Sequence, residues 1–365
     1  MSKNKLINEL FWLRFIACLA VVVGHAIQTS ESHFLPDDSA LGISAEIRQV
    51  IYLSLLFGTP VFVFISEFLL AKSYPVNVPK GFIKKRVQYL LVPYLFMSVV
   101  YAFIEAEVWS VKGLSLEIAM NIFLGDSTVY FILIIFQFYF LHIILNRYLN
   151  KWSPKVVIVS SFIINVVYLS IFNFIKSPDT VYAQYIWQKG YWIPFVGWLF
   201  YFTVAYYCGK HYSEVLKFLN RHRLFVIIMP VITFMLVLVV SKVLVTVPWS
   251  SKRIDMILYS LSVIFFIIYV TSKLKTLPSI VMFISSYSFS IYLLHKAFLA
   301  LIKVMHPPEW IGMYVYIISA FILSLLLSII VSYFLNRLSI GKYLVGAIKI
   351  YKPKANYKLE EKKVS

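Results

Sequence analysis

Leu10-Phe11-Trp12-Leu13-Arg14-Phe15-Ile16-Ala17-Cys18-Leu19-Ala20-Val21-Val22-Val23-Gly24-His25-Ala26-Ile27 is an apolar run interrupted by one arginine and one histidine. At about 1.5 Å per residue such a helix is long enough for the roughly 30 Å hydrocarbon layer once its flanks are added. Comparable runs are expected at 50–71, 88–108, 129–146, 155–175, 193–209, 224–245, 254–272, 280–303 and 311–336, with Pro194 opening the sixth. The reading is therefore an all-α polytopic membrane bundle of about ten spans. The first run follows Lys3 and Lys5, but so many spans come after it that a retained helix is expected rather than a cleaved leader.

Composition agrees with this. Of 365 residues, 61% are hydrophobic and 14% charged, against about half and a quarter in a soluble domain. Aromatic residues reach 18%, which suits two membrane interfaces. The net charge of +18 suggests nucleic acid in a soluble protein, but here it follows from sidedness. With the N-terminus in the cytoplasm, 24 of the 34 basic residues fall on the inner side, eight fall outside, and Arg14 and Lys296 lie within spans. That asymmetry places both termini inside, and only the loop at 242–254 departs from it. Residues 1–340 form the membrane domain, and 341–365 read as a basic cytoplasmic tail drawn to anionic lipid. Cys18 and Cys208 sit in apolar runs without disulfide or metal spacing. No metal-spaced histidines, phosphate-cradling glycine loop or nucleophile elbow is present.

Ionisable groups inside a bilayer cost several kcal/mol and mark candidate sites. Arg14 and His25 are eleven residues apart, about 20° from a whole number of helical turns. They share one face and stand about 16 Å apart along the axis, Arg14 towards the cytoplasm and His25 towards the outside. An arginine snorkelling to inner headgroups beside an interfacial histidine explains the same pattern. Glu67 lies at the depth of Arg14, where an ion pair would neutralise both. Ser288, Tyr292 and His295 fall at i, i+4 and i+7, a polar stripe completed by Lys296. Such a stripe lines a cavity or serves as a hydrogen-bonding seam between helices. His142 reads as a core or interface residue, and Gln137 as a cross-helix hydrogen bonder.

Arg14-Phe15-Ile16-Ala17 continuing to His25 as R-x10-H resembles the signature of the acyltransferase-three family of bacterial membrane O-acyltransferases. The run from Gly58 to Ser66 is similar to that family's second-span motif, and Lys84-Lys85-Arg86 before Leu91-Val92-Pro93-Tyr94 to its basic link. Ser286-Tyr287-Ser288 followed by Tyr292-Leu293-Leu294-His295 is similar to its late motif. Phe57-Gly58-Thr59-Pro60, Arg86-Val87-Gln88-Tyr89 and Gly197 to Phe202 resemble the intercellular-adhesion C (IcaC-like) branch, tied to poly-N-acetylglucosamine and described both as exporter and as O-succinyltransferase. Two departures stand out: Glu67 where many members carry Gly, and Tyr89 where many repeat an Arg.

The resemblance implies a plasma-membrane enzyme moving an acetyl or succinyl group from cytoplasmic acyl-CoA to a hydroxyl of a surface polysaccharide. A polysaccharide synthase complex is an implied partner. It implies Arg14 near the donor's phosphate end and His25 as general base. Lys84, Lys85 and Arg86 would bind acyl-CoA phosphates, and Glu67, Ser288, Tyr292, His295 and Lys296 would serve the substrates. The competing readings are a polysaccharide exporter without acyl chemistry and a proton-coupled transporter.

Overall fold

The computed structural model describes residues 7–34, 43–106, 109–243, 249–305 and 310–348. Every regular element among them is helical: α1 (Asn8–Phe34), α2 (Ile43–Leu55), α3 (Gly58–Ser73), α4 (Phe82–Arg86), α5 (Val92–Glu105), α6 (Val111–Leu124), α7 (Phe131–Leu149) and α8 (Pro154–Phe174). The remainder are α9 (Val181–Gln188), α10 (Leu199–Lys210), α11 (Tyr212–Arg221), α12 (Arg223–Val243), α13 (Asp255–Thr271), α14 (Ser279–Val304), α15 (Met313–Arg337) and α16 (Gly341–Leu344). In lipid each backbone N–H and C=O must find its partner within its own segment, which helices achieve. Among the described residues, eight helical stretches are long and apolar enough to cross a membrane.

Two of the spans expected from sequence take shorter form. The segment at 254–272 becomes the 17-residue α13. The sixth becomes α10, a 12-residue helix entered through 3-10 turns at Gly190–Trp192 and Phe195–Trp198. Irregular backbone is tolerated at membrane depth where protein surrounds it. Every residue of α10 from Phe200 to Gly209 is buried.

The middle of the bundle is formed by α1, α3, α10, α13 and α14, with α10 packed along α3 and α1 along α14. Gly209 allows the first contact, because a Cβ there would stand 2.4 Å from the Phe68 carbonyl oxygen. Gly58 does the same for α3 against α1, where a Cβ would meet Val21 at 2.7 Å and the Ala17 carbonyl at 3.1 Å. Such small residues let helices approach where lipid supplies no hydrophobic drive.

Peripheral helices turn their polarity inwards. In α8, Ser161, Asn165, Leu169 and Asn173 recur every fourth residue and are buried, while Val156, Val159, Ile163, Val167 and Ile171 are exposed. Asn165 donates to the Gly197 carbonyl at 3.0 Å and accepts from the Phe200 amide at 3.2 Å. In α15, Ala320, Ser324, Ser328 and Ser332 form the buried small-residue stripe. These apolar outer faces are what lipid solvates, and the protein is a multi-pass membrane protein.

The first residues of the sequence-expected tail pack on the bundle. Val345 is fully buried, Tyr343 stacks on Tyr89 at 5.4 Å, and Asn336 binds the Gly346 carbonyl at 3.0 Å. Residues 349–365 of that tail lie outside the described residues.

Candidate active site

His25, two-thirds of the way along α1, lines a cavity of about 470 Å³ together with Gln28, Tyr52, Tyr292 and Lys296. His295, two-thirds of the way along α14, comes to face it, with ring centroids 5.3 Å apart and planes inclined by 39°. The two histidines placed at similar depth by sequence thus stand ring to ring.

Their hydrogen bonds fix their tautomers. The Nδ1–H of His25 donates to Oε1 of Gln28 at 2.9 Å, while Nε2 of Gln28 donates to the Tyr52 hydroxyl at 2.7 Å. An amide oxygen only accepts, so the His25 proton resides on Nδ1 and the lone pair on Nε2. The Nδ1–H of His295 is shared between the Ile291 and Tyr292 carbonyls, each at 2.9 Å. Its Nε2 is buried and has no hydrogen-bond partner among the described residues. Both rings therefore offer a basic nitrogen of the same kind, one at the cavity and one behind it.

The rest of the expected stripe divides its work. Tyr292 donates to the Thr128 carbonyl at 2.6 Å, joining α14 to the turn that opens α7. Lys296 lies 3.8 Å from Glu105 at the cavity. Ser288 donates back to the Ser285 carbonyl of its own helix at 2.8 Å and does not line the cavity.

Glu67 has a different partner from the one its depth suggested. It is fully buried, and its Oε1 accepts from Nδ1 of His142 at 2.7 Å, with the second ring nitrogen 3.3 Å from the Tyr74 carbonyl. This pair ties α3 to α7 away from the cavity, and His142 is the interface residue expected. Gln137 likewise bonds across helices, to the Ile193 carbonyl at 2.9 Å and the Phe195 amide at 3.0 Å.

Tyr139 of α7 is buried beside Arg86. Arg86 lays its guanidinium over the Phe82 and Tyr139 rings at 4.9 and 5.0 Å. Lys84 and Lys85 are exposed on the short helix before it. Arg86 thus has a fixed place on α7, whereas the two lysines lie in solvent. A π-helical turn at Val87–Leu91, of a type frequent at functional sites, separates this group from α5.

Several cavity residues carry no local sequence signal: Glu105, Asp126, Lys189, Trp192 and Lys252 come from loops or helix ends. Gln28 had one, since it stands one turn beyond His25. Among the described residues no group of His, Cys, Asp and Glu could hold a metal ion.

A protein-family model described as an acyltransferase domain matches residues 7–333. A Bacillus subtilis protein bearing the name membrane-bound acyltransferase YfiQ is 41% identical over 354 residues, covering 95% of this chain and 96% of that one. A Staphylococcus aureus protein named as a poly-beta-1,6-N-acetyl-D-glucosamine export protein is 30% identical over 305 residues, 82% of this chain and 83% of its own. Its Staphylococcus epidermidis counterpart is 28% identical over 306 residues, 82% of each chain. No solved structure matches. A family match over nearly the whole chain, laid on paired histidines at a membrane-embedded cavity, places this protein in the third acyltransferase family, as a membrane-bound acyltransferase.

Proposed function

We propose that the protein transfers an acetyl or succinyl group from cytoplasmic acyl-CoA to a hydroxyl of a cell-surface polysaccharide of the poly-N-acetylglucosamine type. The observation that carries this reading is the His25–Gln28 hydrogen bond, which keeps the lone pair of His25 on Nε2 at the cavity. With both termini cytoplasmic, Arg86 and Arg14 attend the phosphate end of the donor. The roughly 16 Å between Arg14 and His25 matches an extended pantetheine arm, bringing the thioester to the outer cavity.

Nε2 of His25 takes the proton of the acceptor hydroxyl as its oxygen attacks the thioester carbonyl carbon. A C–O bond forms, the C–S bond breaks, and the imidazolium returns the proton to the departing CoA thiolate. Each step leaves charge balanced and uses a group that titrates near neutrality in ordinary surroundings. Lys296, next to His295, faces the oxyanion that develops on the carbonyl oxygen. Residues 1–340 serve as the catalytic membrane domain, and the basic remainder meets the inner leaflet.

A second reading rests on the names of the staphylococcal relatives, which describe polysaccharide export. The deciding assay supplies purified protein with labelled acetyl-CoA or succinyl-CoA and an N-acetylglucosamine oligosaccharide. Label in the glycan, lost in His25→Gln, supports acyl transfer. Absence of label together with reduced secreted glycan in His25→Gln cells supports export.

A further inference from the structure

The cavity wall formed by Ser127, Thr128, Trp192 and Lys252 carries hydrogen-bond donors that no protein group uses among the described residues. Trp192 Nε1, Ser127 Oγ and Thr128 Oγ1 are buried, have no hydrogen-bond partner among the described residues, and belong to residues lining this cavity. Ser127 is only 8% exposed. Buried polar groups are nearly always satisfied, so three orphans on one wall need an explanation.

Lys252 joins them. Its ammonium stands 3.9 Å from the Trp192 ring centroid and 4.7 Å from that of Tyr130, two rings stacked at 5.5 Å. The other two cavity lysines have carboxylates: Lys189 lies 2.5 Å from Asp126, and Lys296 3.8 Å from Glu105. Lys252 has none among the described residues. Its position is held by its neighbour. Arg253, fully buried, grips Asp255 through Nε at 3.0 Å and Nη2 at 2.5 Å, and reaches Ser241 of α12 at 2.7 Å.

We propose that Ser127, Thr128, Trp192 and Lys252 form a subsite for an anionic oxygen group, a carboxylate or phosphate carried either by the transferred acyl chain or by the acceptor glycan. The claim rests on the acyl-transfer reading, because it takes the cavity as the place where donor and acceptor meet. The donor set suits an anion: one ammonium, one indole N–H and two hydroxyls belong to residues lining one cavity, and both nearby carboxylates are already ion-paired. A cationic amino sugar would instead bring a fourth positive charge beside three lysines. The aromatic pair lowers the cost of holding the ammonium while the subsite is empty.

The test measures binding to the full-length protein in nanodiscs, without turnover. Four probes are used: succinyl-CoA against acetyl-CoA, and a glucuronate-containing tetrasaccharide against an N-acetylglucosamine tetrasaccharide. Lys252→Met keeps the stem over Trp192 and removes the charge; Lys252→Arg keeps the charge. The expected result is a loss of about tenfold to a hundredfold for one anionic probe in Lys252→Met, with its neutral counterpart within about twofold and Lys252→Arg near wild type. Whichever anionic probe responds names the source. Equal effects on charged and neutral probes, no effect in Lys252→Met, or no anionic probe bound by wild type would each overturn the subsite. A wild type that binds the anionic probe but transfers no acyl group sinks the acyl-transfer reading and leaves the subsite standing.

Discussion

His25 and Gln28 lie one turn apart on α1, and the 2.9 Å bond between Nδ1 and Oε1 makes a neutral amide the orienting partner of the histidine. An amide fixes the tautomer as a carboxylate would, but supplies no charge to stabilise an imidazolium. Tyr52 completes the arrangement by accepting from the far side of the same amide at 2.7 Å.

His25→Ala and His25→Gln are each expected to reduce acyl transfer by about 10²- to 10⁴-fold while the protein still inserts, since general-base catalysis contributes on that order. Acylated glycan per cell, normalised to membrane protein, reads this out. Near-normal acylation by His25→Gln would remove His25 from the role of base.

Gln28→Leu should lower kcat about tenfold or more and leave KM for acyl-CoA nearly unchanged, because it frees the ring without touching the donor site. Gln28→Asn, whose shorter arm cannot span both His25 and Tyr52, should behave similarly. A change confined to KM would show that Gln28 meets substrate rather than positions the base.

At the other end of the bundle, Arg86→Ala is expected to raise KM for acyl-CoA at least tenfold, and Lys84→Ala or Lys85→Ala by no more than about twofold. The contrast follows from exposure, since solvated surface charges contribute little and Arg86 is held over two rings. Equal effects of all three would return the role to a diffuse basic patch.

Lys252 gives a pH dependence. Burial, and then the charge of Lys296, pull its ammonium down to about 7. The charged groups around it are Lys296, Glu105, Lys189 and Asp126, with His25 and Tyr130 the neutral ones. An anion binds the ammonium form, so above pH 7 the empty protein must first take up a proton. Affinity for the responsive anionic probe should therefore weaken between pH 7 and 9, by at most about tenfold per unit, and level off below pH 6. Lys252→Arg should flatten the profile because guanidinium stays charged.

Sidedness is open to labelling. Cys18 and Cys208 are both buried, which leaves introduced thiols as the reactive ones. Tyr182→Cys, at an 85% exposed position of α9, should react with an impermeant reagent added to whole cells, and Phe218→Cys of α11 should not. The reverse pattern would invert the orientation and the route of the donor together.

How far the sequence reached differs from residue to residue. Arg14 and His25 were legible because helical periodicity alone sets their shared face. The similar depth of His25 and His295 followed from span order, while their ring-to-ring contact comes from the packing of α1 on α14. Depth fails where two partners share it: Glu67 could meet Arg14 or His142 at the inner end, and only the packing of α3 on α7 selects His142. Ser288 fell on the stripe but spends its hydroxyl on its own backbone, a choice periodicity does not encode. Lys252 and Arg253 were counted as loop charges against the inside bias. Packing gives each a fixed place, so the exceptional loop holds charges of a different kind from the solvated ones.

The hydroxyl of Tyr292 reaches the Thr128 carbonyl from the same turn of α14 that presents His295. His295 and the Thr128 end of the donor wall are therefore joined through one turn of α14, while His25 is carried by α1. Occupancy of the wall and orientation of His295 are then expected to form a linked equilibrium, with reciprocity between them. Discrimination among substrates at Ser127 and Thr128 is then expected in turnover as well as in affinity.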